Sequence, residues 1–150
     1  VLLIDGDVVR PSLDRIFHVA PKPGLAQALA AGSRNPRSLV REGLVPCLSI
    51  MPTAPDGETG DLLAREMSRV LQWASQNYER VIVDAAPVLG NDAGPTLATL
   101  ADDVLVVVRR GVRVAVVDEA MNVLRNLLDA PPVGVVSNTA PIAEGYGYYD

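Results

Sequence analysis

The chain opens with Val1-Leu-Leu-Ile-Asp5-Gly-Asp7, in which four apolar residues are followed by two acids with a glycine between them. A second stretch, Val81-Ile-Val-Asp84-Ala-Ala-Pro87, is similar, with three apolar residues followed by one acid. Short runs that are apolar on both faces are typical of strands in a parallel sheet, because helices cover such a sheet on both sides. Both stretches therefore predict buried strands that end in carboxylates.

Around these two strands, short apolar runs alternate with longer helical patterns, which is the signature of βαβ units. Three further strands are predicted over Cys47–Met51, Val104–Val108 and Val133–Val136. Helices are predicted over residues 25–31, 63–74, 92–101 and 115–128. The predicted fold class is α/β, with a mostly parallel sheet and helices on both faces. We predict one domain over residues 1–150, with a tyrosine-rich tail at 145–150.

Composition excludes several classes of protein. Apolar residues make up 49% of the 150 residues and charged residues 21%, a balance that excludes a disordered chain. The net charge of −5 argues against a nucleic-acid partner. Cys47 is the one cysteine, so an intrachain disulfide or a thiolate cluster is excluded. No apolar stretch approaches the ~20 residues of a membrane span, and no secretory pattern is seen, so we expect a cytoplasmic protein.

The predicted strand ends carry a set of polar side chains. Asp5 and Asp7 follow the first strand, Asp84 follows a second, and Arg109 and Asn138 follow two others. In parallel sheets, ligands bind beyond the carboxyl ends of the strands. Three converging carboxylates repel one another unless a cation lies between them, and Mg²⁺ prefers oxygen ligands. The sequence thus predicts a magnesium site; the alternative is that these residues only mark where strands leave the core.

The first strand belongs to a longer motif, Val1-Leu-Leu-Ile-Asp5-Gly-Asp7-Val-Val-Arg10-Pro-Ser-Leu13. It resembles the second Walker-type motif of the bacterial tyrosine kinases of capsule and exopolysaccharide biosynthesis, members of the deviant P-loop (MinD/ParA-like) ATPase class. Val81–Val88 occupies the place of their Walker B strand. The remaining matching segments, in order, are Gly24–Leu29, Val106–Gly111, Gly134–Asn138 and the closing Tyr146-Gly-Tyr148-Tyr149.

This resemblance implies a P-loop NTPase-like fold, ATP and Mg²⁺ as cofactors, and a role for each matched residue. Asp5 would bind the metal and accept the proton of the attacking tyrosine hydroxyl. Asp7 would support the metal through water, and Asp84 would be the Walker B carboxylate. Asn138 would contact the adenine, whereas Arg10 is either near the phosphates or an ordinary surface arginine.

The resemblance also implies a setting for the protein. Tyr146, Tyr148 and Tyr149 would be phosphoacceptors that neighbouring copies modify in a homo-oligomer. The kinase would regulate the polymerisation and export of a surface polysaccharide. Its partner would be an inner-membrane polysaccharide co-polymerase, which places the protein at the inner face of the cell membrane.

Two departures from the family pattern leave alternatives open. No Gly-Lys-Ser or Gly-Lys-Thr occurs in the chain, and Ala85-Ala86 replaces the usual Thr-Pro after the Walker B aspartate. We expect a fragment of a longer protein, or a natural short form, that lacks the first strand, P-loop and helix. Such a chain is expected to be inactive alone and to bind ATP at least about a hundredfold more weakly. The alternatives are a non-catalytic regulatory partner of the co-polymerase, a partitioning-type ATPase, and a response-regulator receiver.

Overall fold

A computed structural model of the chain describes residues 1–21, 24, 25, 35–42, 45–53 and 60–138, with the backbone alone for 60–65. The chain divides into two compact units, Val1–Ala101 and Asp102–Asp150. Strands and helices alternate in both, and most strand pairs are parallel. The predicted α/β class with a mostly parallel sheet is confirmed, while the assignment of a single domain stays a prediction.

The first unit is built on a four-stranded sheet in the order β2-β3-β1-β4. Its strands are β1 Leu2–Gly6, β2 Arg41–Glu42, β3 Ser49–Met51 and β4 Val81–Ala85. β1 lies in the interior of the sheet and pairs in parallel with both β3 and β4. Pairing with β4 extends over all five residues of both strands, from Leu2 opposite Val81 to Gly6 opposite Ala85. The carboxyl ends of β1 and β4 therefore lie side by side.

Helices of the first unit pack on this sheet through apolar side chains. They are α1 Leu13–Ile16, a 3₁₀ turn at Pro36–Leu39, α2 Gly60–Asn77 and α3 Ala93–Ala98. In α2, Met67, Val70 and Ala74 recur at three- and four-residue spacing and are buried in the core with Leu2 and Ile4. The chain turns from β4 into α3 through Gly90, whose φ of +119° favours glycine. This turn brings α3 back onto β1 and β4.

The second unit is a βαβ arrangement. Its elements are β5 Leu105–Arg109, α4 Val114–Leu127 and β6 Gly134–Asn138. β5 and β6 pair in parallel with Leu105 opposite Gly134 and Arg109 opposite Asn138. Val106 and Leu124 are its buried apolar side chains among the residues described. Arg109 and Asn138 thus stand next to each other at the carboxyl end of this pair.

Some boundaries differ from the sequence-based predictions. Asp5 and Asp84 are predicted to follow their strands, but β1 and β4 extend one residue beyond them, to Gly6 and Ala85, so both aspartates lie within the strands. Cys47, predicted to begin a strand, lies exposed in a turn with a φ of +63°, and β3 begins only at Ser49. The predicted helix 25–31 lies outside the described residues apart from Leu25. None of the helices described is long and apolar enough to cross a bilayer.

Candidate functional site

The candidate site lies at the carboxyl ends of β1 and β4. Asp5 and Asp84 are directly opposite each other in the register of these strands. Neighbouring strands are about 4.8 Å apart, and opposed residues point to the same face, so the two carboxylates are close neighbours. Asp7 follows β1 after Gly6 and interacts electrostatically with Asp84. The structure therefore brings together the three aspartates predicted from the sequence.

Asp5 is held by the backbone that follows it. Its Oδ2 accepts hydrogen bonds from the backbone N–H groups of Ser12 and Leu13, both at 3.0 Å. Those two groups begin α1, so the side chain of Asp5 fixes the start of this short helix against the end of β1. Asp5 is completely buried. Its other oxygen, Oδ1, is buried without a hydrogen-bond partner in the described part of the chain.

This environment changes the acidity of the site. The pKa of Asp5 is raised from 3.8 to about 6, mainly because burial disfavours the charged form. The Leu13, Ser12 and Asp7 backbone N–H groups oppose this rise, and the nearby charge of Asp84 adds to it. Desolvation raises the pKa of Asp84 as well, and the neighbouring Asp7 carboxylate acts in the same direction. Both pKa shifts follow mainly from the removal of the carboxylates from water, with repulsion between the aspartates added to it.

Asp7 shapes the loop that leads away from β1. Its Oδ1 accepts hydrogen bonds from the backbone N–H groups of Val9 at 3.0 Å and Arg10 at 2.9 Å. An aspartate that bonds N–H groups two and three residues further on closes a tight turn. The turn places the exposed Arg10 two residues before Ser12, whose N–H group binds Asp5. Arg10 is therefore in the same loop as the carboxylates.

The fit of this site to Mg²⁺ is partial. Among the residues that the structure describes, no three His, Cys, Asp or Glu side chains are grouped to hold a metal ion by themselves. Mg²⁺ needs fewer protein ligands, because it is usually bound by one or two carboxylates together with water and phosphate oxygens. The buried and unpartnered Oδ1 of Asp5 is such an oxygen. The carboxylates thus fit a cation that another group also binds.

The other predicted residues lie elsewhere. Asn138 is the last residue of β6, next to Arg109 in the register, and belongs to the second unit. The predicted phosphoacceptors Tyr146, Tyr148 and Tyr149 lie outside the described residues. Sequence reasoning missed the Ser12 and Leu13 N–H donors, although Pro11-Ser12 before an apolar residue is a pattern typical of a helix start.

The sequence of this chain is similar to those of several known proteins. Ptk of Acinetobacter johnsonii and EpsB of Ralstonia solanacearum, which carry tyrosine-protein kinase names, are 29% and 35% identical over 111 residues. These residues are 73% of this chain and 15% of each relative. ExoP of Rhizobium meliloti, named a succinoglycan biosynthesis transport protein, is 27% identical over 160 residues, which cover 99% of this chain and 20% of ExoP. No protein-family model matches the chain.

Solved structures show the same fold. The BceF tyrosine kinase domain is 29% identical, with a TM-score of 0.76 over 93% of this chain and 56% of that domain. The kinase domain of the Escherichia coli tyrosine kinase ETK is 24% identical, with a TM-score of 0.84 over 98% of this chain and 58% of that domain. The resemblance to the bacterial tyrosine kinases is confirmed.

The wider P-loop class is matched too. The cell division ATPase MinD of Pyrococcus furiosus shares the fold at 19% identity, with a TM-score of 0.72 over 95% of this chain and 61% of MinD. The predicted P-loop NTPase-like fold is therefore confirmed along with the resemblance to the kinases. The chain spans only about 15–20% of the length of the three curated relatives named above.

Proposed function

We propose that this chain is part of an ATP-dependent protein-tyrosine kinase that phosphorylates its own kind and regulates polymerisation and export of an exopolysaccharide or capsule. One observation carries the proposal: Asp5 and Asp84 oppose each other at the ends of parallel strands in a chain related to tyrosine kinases. Phosphoryl transfer depends mainly on positioning the reacting groups and on neutralising their charge. Carboxylates at such an edge contribute to both, because they hold a cation beside the phosphates.

Asp5 is the proposed general base for the tyrosine hydroxyl. A base is most effective when its pKa lies near the working pH, and burial raises the pKa of Asp5 to about 6. At pH 7.5 the carboxylate is then deprotonated, yet it is more basic than an exposed aspartate. The Ser12 and Leu13 N–H groups hold its Oδ2, which fixes the orientation of the side chain.

Asp5 and Asp84 are also the proposed Mg²⁺ ligands, with Asp7 acting through water. When bound, the cation supplies charge neutralisation at the phosphate that is transferred. The raised pKa values of Asp5 and Asp84 support this role, since they reflect desolvation and repulsion between carboxylates, both of which a bound cation would offset. Asp7 turns its Oδ1 toward backbone N–H groups, which leaves its other oxygen for a water.

ATP would contact further groups. Asn138 is proposed to touch the adenine and Arg10 the phosphates. β4 is an edge strand of its sheet, so its outer edge can pair with another strand. A glycine-rich phosphate-binding loop at the carboxyl end of such a strand would lie beside Asp84. We therefore place the phosphate-binding segment of the complete protein at this edge.

The proposed phosphoacceptors are Tyr146, Tyr148 and Tyr149 on neighbouring copies of the protein. The proposed partner is an inner-membrane polysaccharide co-polymerase, which would bring the kinase to the inner face of the cell membrane. The polysaccharide name of the relative ExoP supports this setting.

The test uses the protein made from the complete gene. Phosphate transfer from ATP labelled at the γ position is measured for the wild type and for the variants Asp5→Asn and Asp84→Asn. Both variants are expected to lose at least about a hundredfold in rate, because a base or a charge-neutralising ligand is removed. Peptide mass spectrometry should place the phosphate on Tyr146, Tyr148 or Tyr149.

Asp118→Asn is the matched control, because Asp118 is exposed on α4 and the same charge is removed. It should retain the wild-type rate. Full activity of Asp5→Asn would contradict the role of Asp5 as base. A complete wild-type protein that transfers no phosphate would instead favour a non-catalytic regulatory partner. The replacement of the usual Thr-Pro by Ala85-Ala86 supports that alternative.

A further inference from the structure

α3 contacts both strand ends that carry the aspartates. Gly94 and Leu97 are three residues apart and so lie on one face of this helix. Leu97 is buried, and a Cβ placed on Gly6, between Asp5 and Asp7, would lie 2.8 Å from its Cδ1. Gly94 is buried against the segment that follows β4. One short helix therefore packs on the ends of both β1 and β4.

The contact at Gly94 leaves no space for a side chain. A Cβ on Gly94 would lie 2.3 Å from the carbonyl oxygen of Ala86 and 3.0 Å from that of Pro87. Even close carbon–oxygen contacts in proteins are about 3.3 Å or longer. The obstacle is backbone, so it cannot rotate away as the end of a side chain could. A methyl group here forces α3 and the 86–87 backbone apart by about an ångström.

The turn that joins the two elements cannot easily absorb this movement. Asn91 accepts a hydrogen bond from the N–H group of Ala93 at 2.9 Å, and the Asp92 carbonyl accepts one from Thr96 at 3.0 Å. Ala86 is itself buried. Among the strands that the structure describes, β4 is paired only with β1, so its outer edge gives it no second support. The displacement is therefore passed to the end of β4, where Asp84 lies two residues before Ala86.

We propose that Gly94 is a positioning residue for Asp84: its lack of a side chain lets α3 hold the backbone after β4 where Asp84 meets Asp5 and Asp7. The inference rests on the proposed function, because the role of Asp84 in binding the cation is part of that function. It adds a residue that lies outside the motif segments quoted for the resemblance to the kinases and that is proposed to touch neither substrate nor cation.

The test is Gly94→Ala in the complete protein, with Mn²⁺ as a spectroscopic substitute for Mg²⁺. Its affinity is measured by electron paramagnetic resonance in the presence of ADP. We expect a loss of affinity of tenfold or more, and a fall in kcat for tyrosine phosphorylation that exceeds the change in KM for ATP. Alanine is the better helix former, so helix propensity alone would predict no loss.

Two controls separate positioning from folding. Gly134→Ala makes the same change where the new Cβ has an ordinary 3.5 Å contact with Leu105, and Ala74→Gly weakens the core from α2. Both should bind Mn²⁺ within twofold of the wild type. Equal losses in Gly94→Ala and Ala74→Gly would overturn the inference, as would wild-type affinity in Gly94→Ala.

Two further variants complete the test. If Gly94→Ala does not fold, Leu97→Ala loosens the same face of α3 without a clash, and unchanged Mn²⁺ affinity in that variant would overturn the inference. Asp84→Asn tests the proposed function separately. If it binds Mn²⁺ like the wild type, the proposed cation site fails and the inference fails with it. If only Asp84→Asn loses affinity, the cation site stands and the role of Gly94 is wrong.

Discussion

At the scale of single residues, the buried carboxylate of Asp5 lowers the stability of the fold when it is ionised. Asp5 is fully buried, and one of its oxygens has no hydrogen-bond partner in the described part of the chain. Removing an ionised carboxylate from water is costly, and this desolvation is the main reason why the pKa of Asp5 rises to about 6. Such a conflict with stability is typical of functional sites.

This conflict predicts a pH dependence of stability. Between pH 3.8 and about 6 the folded protein binds more protons at Asp5 than the unfolded chain does, so stability falls as the pH rises through this window. The loss from Asp5 amounts to about 3 kcal/mol and persists at higher pH. Asp5→Asn keeps an acceptor for Ser12 and Leu13, so this variant should be more stable than the wild type at pH 7.5.

Urea unfolding at pH 4, 6 and 7.5, in the presence of a chelator, measures this difference. The gain in free energy of unfolding from Asp5→Asn should shrink toward zero at the lowest pH. If Asp5→Asn were destabilised equally at all three pH values, the ionised carboxylate of Asp5 would not lower the stability of the wild type. Adding Mg²⁺ should stabilise the wild type but not the variant, since a ligand that binds only the folded state stabilises it.

The residues of the site were predictable from the sequence to different degrees. Asp5, Asp7 and Asp84 follow apolar runs, and the ends of parallel strands meet at one edge, so their proximity could be foreseen. The Ser12 and Leu13 donors could not, because the path of the loop after Asp7 is set by hydrogen bonds rather than by any periodic pattern. The close contact of Gly94 with the backbone of Ala86 and Pro87 could not be predicted either, because it depends on how α3 packs after the turn.

At the scale of elements, hydrophobic patterning predicted the long helices and the positions of β1, β4, β5 and β6. The prediction that the strands are buried holds for β1, whereas the described residues of β4, β5 and β6 are mostly exposed or half-buried. α2 and α4 agree with prediction because a helix that packs on a sheet needs an apolar stripe, and a stripe is visible in sequence. The two-residue strand β2 was not predicted, because Arg41 and Glu42 show no strand pattern in the sequence. They form a strand by pairing antiparallel with β3. Strand ends were placed too early because backbone pairing continues past Asp5 and Asp84.

The stripe on α2 predicts the effect of truncating its side chains. Met67 is fully buried in the core with Leu2 and Ile4, so Met67→Ala should lower the free energy of unfolding by about 2–5 kcal/mol. Gln72 is exposed on the same helix, and Gln72→Ala should change it by less than about 0.5 kcal/mol. Urea denaturation checks both variants. Similar effects in the two would contradict the packing of α2 described here.

At the scale of the whole molecule, apolar side chains remain exposed where a parallel sheet would normally be covered. Ile82 on the edge strand β4 is 55% exposed. In the second unit, Leu105 and Val107 are 55% and 61% exposed on alternate positions of β5. Parallel strands are usually buried on both faces, and exposed apolar edge strands promote association. A protein limited to these 150 residues is therefore expected to self-associate.

The edge strand β4 allows that expectation to be tested with one substitution. Ile82→Lys places a charge on an exposed apolar position of an edge strand, which is a common natural means of preventing strand-to-strand association. Sedimentation velocity over a range of concentrations should show a smaller rise in average mass for this variant than for the wild type. Gln72→Lys adds the same charge on the exposed side of α2, so the two variants have equal net charge. It should associate like the wild type, because the substitution does not lie on β4. If Ile82→Lys and Gln72→Lys associate equally, the contact does not involve β4, and the exposed strand β5 becomes the next surface to test by the same substitution at Val107.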